Sequence, residues 1–232
     1  MEGRSNFHIQ GGRYIKDIVY AANDGIITTF AVVAGVVGAE QALSIVVIMG
    51  LANLVADGIS MASGNYLGSR SEYLFYQAEK EYFANLVKHH PAKSKQMLRS
   101  VYSRKGFRGS FLTELIERIM SKQSIWTDEL VIDNLGTRPT EASQPLKAAL
   151  VTFISFIGFG FVPLVPYLLG SNPNNFLISI IGTGSTLFLV GSLRSLVTNR
   201  SWLAAGFEML LVGTLAGTSA YIVGSVIMVL VS

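Results

Sequence analysis

Long apolar runs alternate with short polar joints along this chain, and the runs set its architecture. Five of them reach the roughly 20 helical residues that a bilayer requires, near 15–38, 43–67, 146–170, 175–197 and 203–231. AEQA joins the first two, a link short enough to impose an antiparallel hairpin. GSNPNN, a Gly/Asn/Pro turn, joins the third and fourth. A short polar stretch with Arg194, Asn199 and Arg200 joins the fourth and fifth. Residues 68–145 interrupt this pattern with three predicted helices. The first, SRSEYLFYQAEKEYFANLVKHH, places Leu74, Phe75, Ala78, Tyr82 and Leu86 on one side and breaks at Pro91. The second, AKSKQMLRSVYSRK, ends near Gly106. The third, FLTELIERIMSKQSIWTDELVIDNL, ends at Gly136, and TRPTEASQP leads into the third span. The expected fold is an all-α membrane protein, five transmembrane helices with a three-helix cytoplasmic insert between helices two and three. Its parts are 1–67 (tail and helices one and two), 68–145 (insert) and 146–232 (helices three to five).

Composition agrees with that pattern. Half the residues are apolar and 14% are charged, against about 25% charged in soluble domains. The absence of Cys excludes disulfides, thiolate metal sites and Cys nucleophiles. The polar start, MEGRSNFHIQGGR, runs into a long span rather than a short apolar segment with a cleavage site, so no removable signal peptide is expected. With five spans, all 18 Lys and Arg fall on one side. Positive charge marks the cytoplasmic side, so the N-terminus is expected inside and the C-terminus outside. The compact chain suits a prokaryotic plasma membrane, with a vacuolar-type membrane as the alternative. Counted through Lys147, the insert carries 13 Lys and Arg against nine Asp and Glu.

The candidate chemistry lies in the first two spans. An Asp near the middle of a bilayer costs roughly 2.5–3.5 kcal/mol on insertion scales, so it marks an ion path or a buried partner. Asp17 and Asp24 are seven residues apart, about two turns, and share one face roughly 10 Å apart along the axis. Asp17 is either the path's entrance or an interfacial acid paired with Lys16 or Arg13. Asp24 is either a path carboxylate or a packing acid bonded to Asn23 or a neighbouring hydroxyl. Thr28 and Thr29 add hydroxyls, and Gly25, Gly35 and Gly38 allow another helix to approach closely. In the second span Asn53, Asp57, Met61 and Asn65 follow strict i, i+4 spacing, a single stripe of amide, carboxylate, thioether and amide. Oxygen ligands with one soft sulfur favour a later transition metal such as ferrous iron over magnesium or calcium. Glu208 in the fifth span is either a proton-coupling group or a partner of Arg200. The small residues Gly206, Gly213, Gly217 and Gly224 mark a tightly packed interface, within or between protomers. Pro163 and Pro166 are expected to bend the third span. His89 and His90 precede a helix break, and adjacent side chains diverge, so they read as a solvated helix end.

NDGIITTFAVVAG followed by ISMASGNY resembles the vacuolar iron transporter family, with its Asp-Gly motif in the first span and a Ser-Met-small-small-Gly-Glu-Tyr motif in the second. FVPLVPYLLG, GFEMLLVG and the five-span plan are similar too. The resemblance covers nearly the whole chain. It implies a homodimer with a divalent-cation path between protomers, exporting ferrous iron or manganese from the cytosol in exchange for protons. On matching positions Asp17, Asp24 and Met61 would be path residues. The chain also departs from the family. Asn65 stands where a Glu is expected. In the insert, Ser94 and Met97 replace expected carboxylates, and Phe83 and Leu86 stand where another acidic pair would be. Asp128, Glu129 and Asp133 are retained. A basic insert repels free divalent cations, so its metal-binding module is expected to be degenerate.

These readings favour a proton-coupled divalent-metal transporter with Asp17, Asp24, Asn53, Asp57, Met61 and Asn65 on the path. Its partners would be a second copy, membrane lipid and the metal ion as substrate, with no resident cofactor and no nucleic acid. The alternatives are a non-transporting membrane interaction protein of the same fold, or a transporter of another cation. No phosphate loop, His-Glu-x-x-His or Ser/His/Asp set points to an enzyme.

Overall fold

Helical periodicity accounts for every regular element in the computed structural model, which describes residues 2–136, 144–196 and 201–231. The TRPT and EAS of the linker and the Asn199–Arg200 stretch lie outside the described residues. The chain divides into two compact units, Met1–Tyr66 with Pro145–Ser232, and Leu67–Gln144.

The first unit holds the spans. They are α1 (Glu2–Gly38), the first part of α2 (Leu43–His89), α6 (Pro145–Gly160) with α7 (Val165–Leu168), α8 (Asn175–Leu193) and α9 (Trp202–Val231). Among the described residues five helices are long and apolar enough to cross a membrane, so this is an all-α, multi-pass membrane protein. The span of α1, Ile15–Gly38, is the most enclosed of the five. On one side Gly25 lies against α6, where a methyl group would sit 2.5 Å from the Phe156 carbonyl oxygen. On the other, Gly224 of α9 meets the backbone of Gly35 too closely for any side chain. The glycines of α9 thus pack within the protomer, Gly213 against Leu187 and Gly217 against Phe30.

Pro163 and Pro166 do more than bend the third span. Helix α6 stops at Gly160, a 3-10 turn covers Val162–Leu164, and α7 resumes at Val165. A proline lacks the N–H that would continue the ladder. The carbonyl of Pro163 is taken up instead by the Ser179 hydroxyl at 2.8 Å.

The second unit packs the end of α2 with α3 (Pro91–Arg104), α4 (Gly109–Met120) and α5 (Gln123–Leu135). Its core joins Phe83, Leu86 and Val87 to Leu98, Ile116 and Trp126, among others. Two sequence expectations change here. The third predicted helix is two, because the Ser121 hydroxyl donates to the Arg118 carbonyl at 2.7 Å and Lys122 is extended. A serine that bonds its own backbone competes with the helix, and the four polar residues Ser121–Ser124 interrupt the apolar spacing at the joint. The buried face of α2 also differs, since Phe83, Leu86 and Val87 turn inward while Leu74, Phe75 and Tyr82 stay exposed. Apolar residues surround this part of α2, so spacing alone did not select the face.

Candidate functional site

Helix α2 runs antiparallel to α6 in a register set by four contacts. Asn65 Nδ2 donates to Thr152 Oγ1 at 2.6 Å and to the Ala148 carbonyl at 3.4 Å. Further along α6, Gly58 meets Phe156 and Ile157, Leu54 meets Gly160, and Gly50 meets the Leu164 side chain. Gly25 of α1 lies against the backbone of the same Phe156. Each of these two glycines, Gly25 and Gly58, follows an aspartate and packs on Phe156, so Asp24 and Asp57 come to one level of the bundle. They are close enough for their charges to repel. From Asp17 to Ser69 the sequence has no Lys, Arg or His that could offset this.

The other predicted residues distribute around that pair. Asp17 is half-buried, two turns from Asp24 on the same helix. Met61, one turn from Asp57, is half-buried against the apolar cluster containing Leu54 and Phe156. Asn53 lies one turn beyond Asp57 in the other direction, and its buried Nδ2 has no hydrogen-bond partner. Asn65 is directed at α6 through its amide nitrogen. The Thr28 hydroxyl donates to the Asp24 carbonyl at 2.8 Å, while that of Thr29 is fully buried and unpartnered. Glu208 stands apart. Its carboxylate accepts from Arg194 Nη2 at 2.7 Å, at the end of α8. Arg200, the partner considered from the sequence, lies outside the described residues.

Two supports of the site escaped the sequence reading. Thr152 anchors Asn65, and Phe156 packs against the glycine of both Asp-Gly pairs. The repeated Asp-Gly pair was the available signal for the second, since a glycine beside each acid lets a third helix pack closely against both.

The insert is built differently. Its retained acids have internal partners. Asp128 pairs with Lys80 at 2.9 Å and Asp133 with Arg104 at 2.8 Å. Tyr102 donates to Glu129 at 2.8 Å. Burial, then that hydrogen bond and the glutamate's charge, push the Tyr102 hydroxyl up to about 12, so it remains a donor throughout the physiological range. The positions where the resemblance expects acids are turned to packing. Phe83 and Leu86 are core, Met97 packs against it, and Ser94 is fully buried, bonding back to the His90 and Pro91 carbonyls. Among the described residues no group of three His, Cys, Asp or Glu is arranged to hold a metal ion.

The model of the VIT family matches residues 15–225, from the first residue of the first span well into α9. The chain belongs to the VIT family. It is similar to a vacuolar iron transporter of Toxoplasma gondii (strain ATCC 50861 / VEG), 31% identical with 94% of this chain and 76% of the relative covered. A vacuolar iron transporter of Plasmodium falciparum (isolate 3D7) is 30% identical over 92% of this chain and 82% of its own. Vacuolar iron transporter 1 of Arabidopsis thaliana is 26% identical over 95% and 88%. These family members are named as transporters, and none of their names denotes an enzyme.

Proposed function

We propose that the chain is a proton-coupled transporter that exports ferrous iron or manganese from the cytosol through a path at a homodimer interface. The observation that carries this reading is the Asp24–Asp57 pair, two acids brought to one level of a membrane bundle in a stretch, 17–69, that has no Lys, Arg or His. A carboxylate can bind either a proton or a metal ion. A pair of them can therefore exchange protons for a divalent cation as access alternates. Met61 and Asn53 flank the pair along one face of α2 and would complete the ligand set, with Asp17 at the entrance. Asn65, which donates to Thr152 through its nitrogen, would be a substituted ligand. Glu208 would couple protons by exchanging its Arg194 contact.

At the level of the pair a protomer supplies these two acids, and a second copy doubles them. The surface of α2 suits such pairing. Ala52, Ala56, Ser60 and Gly64 form an exposed i, i+4 stripe, each one residue before a member of the Asn53–Asn65 stripe. Small residues at that spacing let helices approach closely in membranes, and doing so would bring two copies of the path stripe together. Nothing within the protomer lies within 4 Å of a Cβ at Gly64. Gly64→Leu is thus expected to preserve the protomer's fold while shifting purified protein from dimer to monomer, measured by light scattering after gel filtration.

The proposed orientation has the N-terminus in the cytosol. The membrane is that of a prokaryotic cell surface, with a vacuolar-type membrane as the alternative that the relatives' names favour. The deciding experiment is flux in proteoliposomes. Saturable uptake of ferrous iron or manganese, accelerated by an opposing proton gradient, is expected. The internally paired acids of the insert favour one second reading, a membrane interaction protein that no longer moves metal. No flux, together with no saturable binding of ferrous iron, manganese or cobalt, would establish that reading instead.

A further inference from the structure

From Tyr82 to Thr113 the sequence has seven Lys and Arg and neither Asp nor Glu. Four of the seven, Lys93, Lys95, Arg99 and Arg104, belong to α3, with Lys88 before it and Lys105 and Arg108 after it. Burial of Ser94, Leu98 and Val101 commits one side of α3 to the core of the insert. At about 100° per residue the four basic side chains of α3 spread over the other half of its circumference, along roughly 20 Å. Lys88, Lys93, Arg99, Lys105 and Arg108 are exposed, and Lys95 is half-buried. Among the described residues only Arg104 of this set meets an acid, Asp133 at 2.8 Å. The other acids that could answer the patch are engaged elsewhere in the insert. Asp128 is held by Lys80, Glu129 by Tyr102, Glu79 by Asn134 and Glu114 by Arg118.

Aromatic rings continue this surface at the joint between α3 and α4. Tyr102, Phe107 and Phe111 follow one another with ring centroids 5.7 and 5.8 Å apart. Tyr102 and Phe107 pack against the core, while Phe111 is 59% exposed. Lys105 Nζ lies 4.8 Å from the Tyr102 ring, and Arg108 directly precedes α4. A basic face that its own chain does not neutralise attracts polyanions. Arginine and aromatic side chains together are typical of protein–protein contacts. A flat bilayer surface fits less well, because the charges wrap half a helix whose apolar side is already in the core. A phosphate polymer would leave Phe111 uncovered.

We propose that α3 and its joint to α4 form a docking surface for an acidic segment of a soluble partner protein, held by charge along α3 and by one apolar side chain against Phe111. An extended segment covers the length of α3 with roughly six residues, at about 3.3 Å each. The partner therefore presents a run of Asp and Glu of about that length beside an apolar residue. The inference concerns the insert alone and holds whether or not the spans move metal.

The test uses the full chain in phosphatidylcholine nanodiscs and a fluorescein-labelled peptide of alternating Asp and Glu with one central Leu, read by anisotropy. Saturable binding is expected, weakening as salt screens the charges. The double variant Lys93→Glu, Arg99→Glu should bind about tenfold more weakly. Both positions are exposed, so its melting temperature should match that of wild type. Phe111→Ser should weaken this peptide about fivefold and leave unchanged the binding of a second peptide that carries Ser in place of Leu. A single-stranded oligonucleotide and phosphatidylserine vesicles, each at matched charge, should displace the labelled peptide less well than the unlabelled peptide does. The proposal is overturned by an absence of saturable binding, by undiminished binding to the double variant, or by an equal effect of Phe111→Ser on both peptides. Stronger displacement by the oligonucleotide or the vesicles would overturn it as well.

Discussion

Asp24→Asn is expected to reduce metal flux in proteoliposomes by roughly 10- to 150-fold while leaving the dimer intact. The range follows from the worth of a contact to a charged group, about 1.5–3 kcal/mol, at about 1.4 kcal/mol per factor of ten. Asparagine keeps the size and an oxygen but removes both the charge and the exchangeable proton. On the proposed path it should impair metal affinity and proton coupling together. Met61→Ala should act on affinity alone, with the greater loss for ferrous iron than for manganese, because a thioether favours the later metal. Normal transport by both variants would remove this region from the path.

Gly25→Ala is expected to have the largest structural effect of any single methyl group near the site. The added carbon would lie 2.5 Å from the Phe156 carbonyl oxygen and 3.2 Å from the adjoining backbone carbons. These are main-chain atoms, so no rotamer change can relieve the clash, and α1 and α6 must separate. Overpacking of this kind costs about 1–3 kcal/mol. The same displacement would move Asp24 away from Asp57. Gly158→Ala is the matched control, since nothing lies within 4 Å of a Cβ at that position and alanine favours the helix by roughly 0.8–1.0 kcal/mol over glycine. Thermal unfolding in detergent should show Gly25→Ala melting earlier and Gly158→Ala unchanged or later.

The spans were legible in the sequence because nearly every residue between the polar joints is apolar, and length then decides the matter. The Asp24–Asp57 constellation was legible for the opposite reason, since an acid in such a run is conspicuous. Packing direction was much less so. Around residues 73–87 apolar side chains point in all directions, and only the placement of α3–α5 selects Phe83, Leu86 and Val87 as core. The break at Ser121 depends on one hydroxyl's choice of acceptor. The Glu208–Arg194 pair joins residues 14 apart on two helices, which helical spacing within α9 does not reveal.

The pairing of Asp24 with Asp57, in a stretch that has no Lys, Arg or His, also constrains the electrical character of the proposed cycle. Counted per protomer, one divalent ion matches two ionised carboxylates, and two protons match them equally well on the return. Both legs then cross the membrane with the same net charge. Such an exchange is electroneutral, driven by pH and metal gradients, and the membrane voltage would neither speed nor slow it.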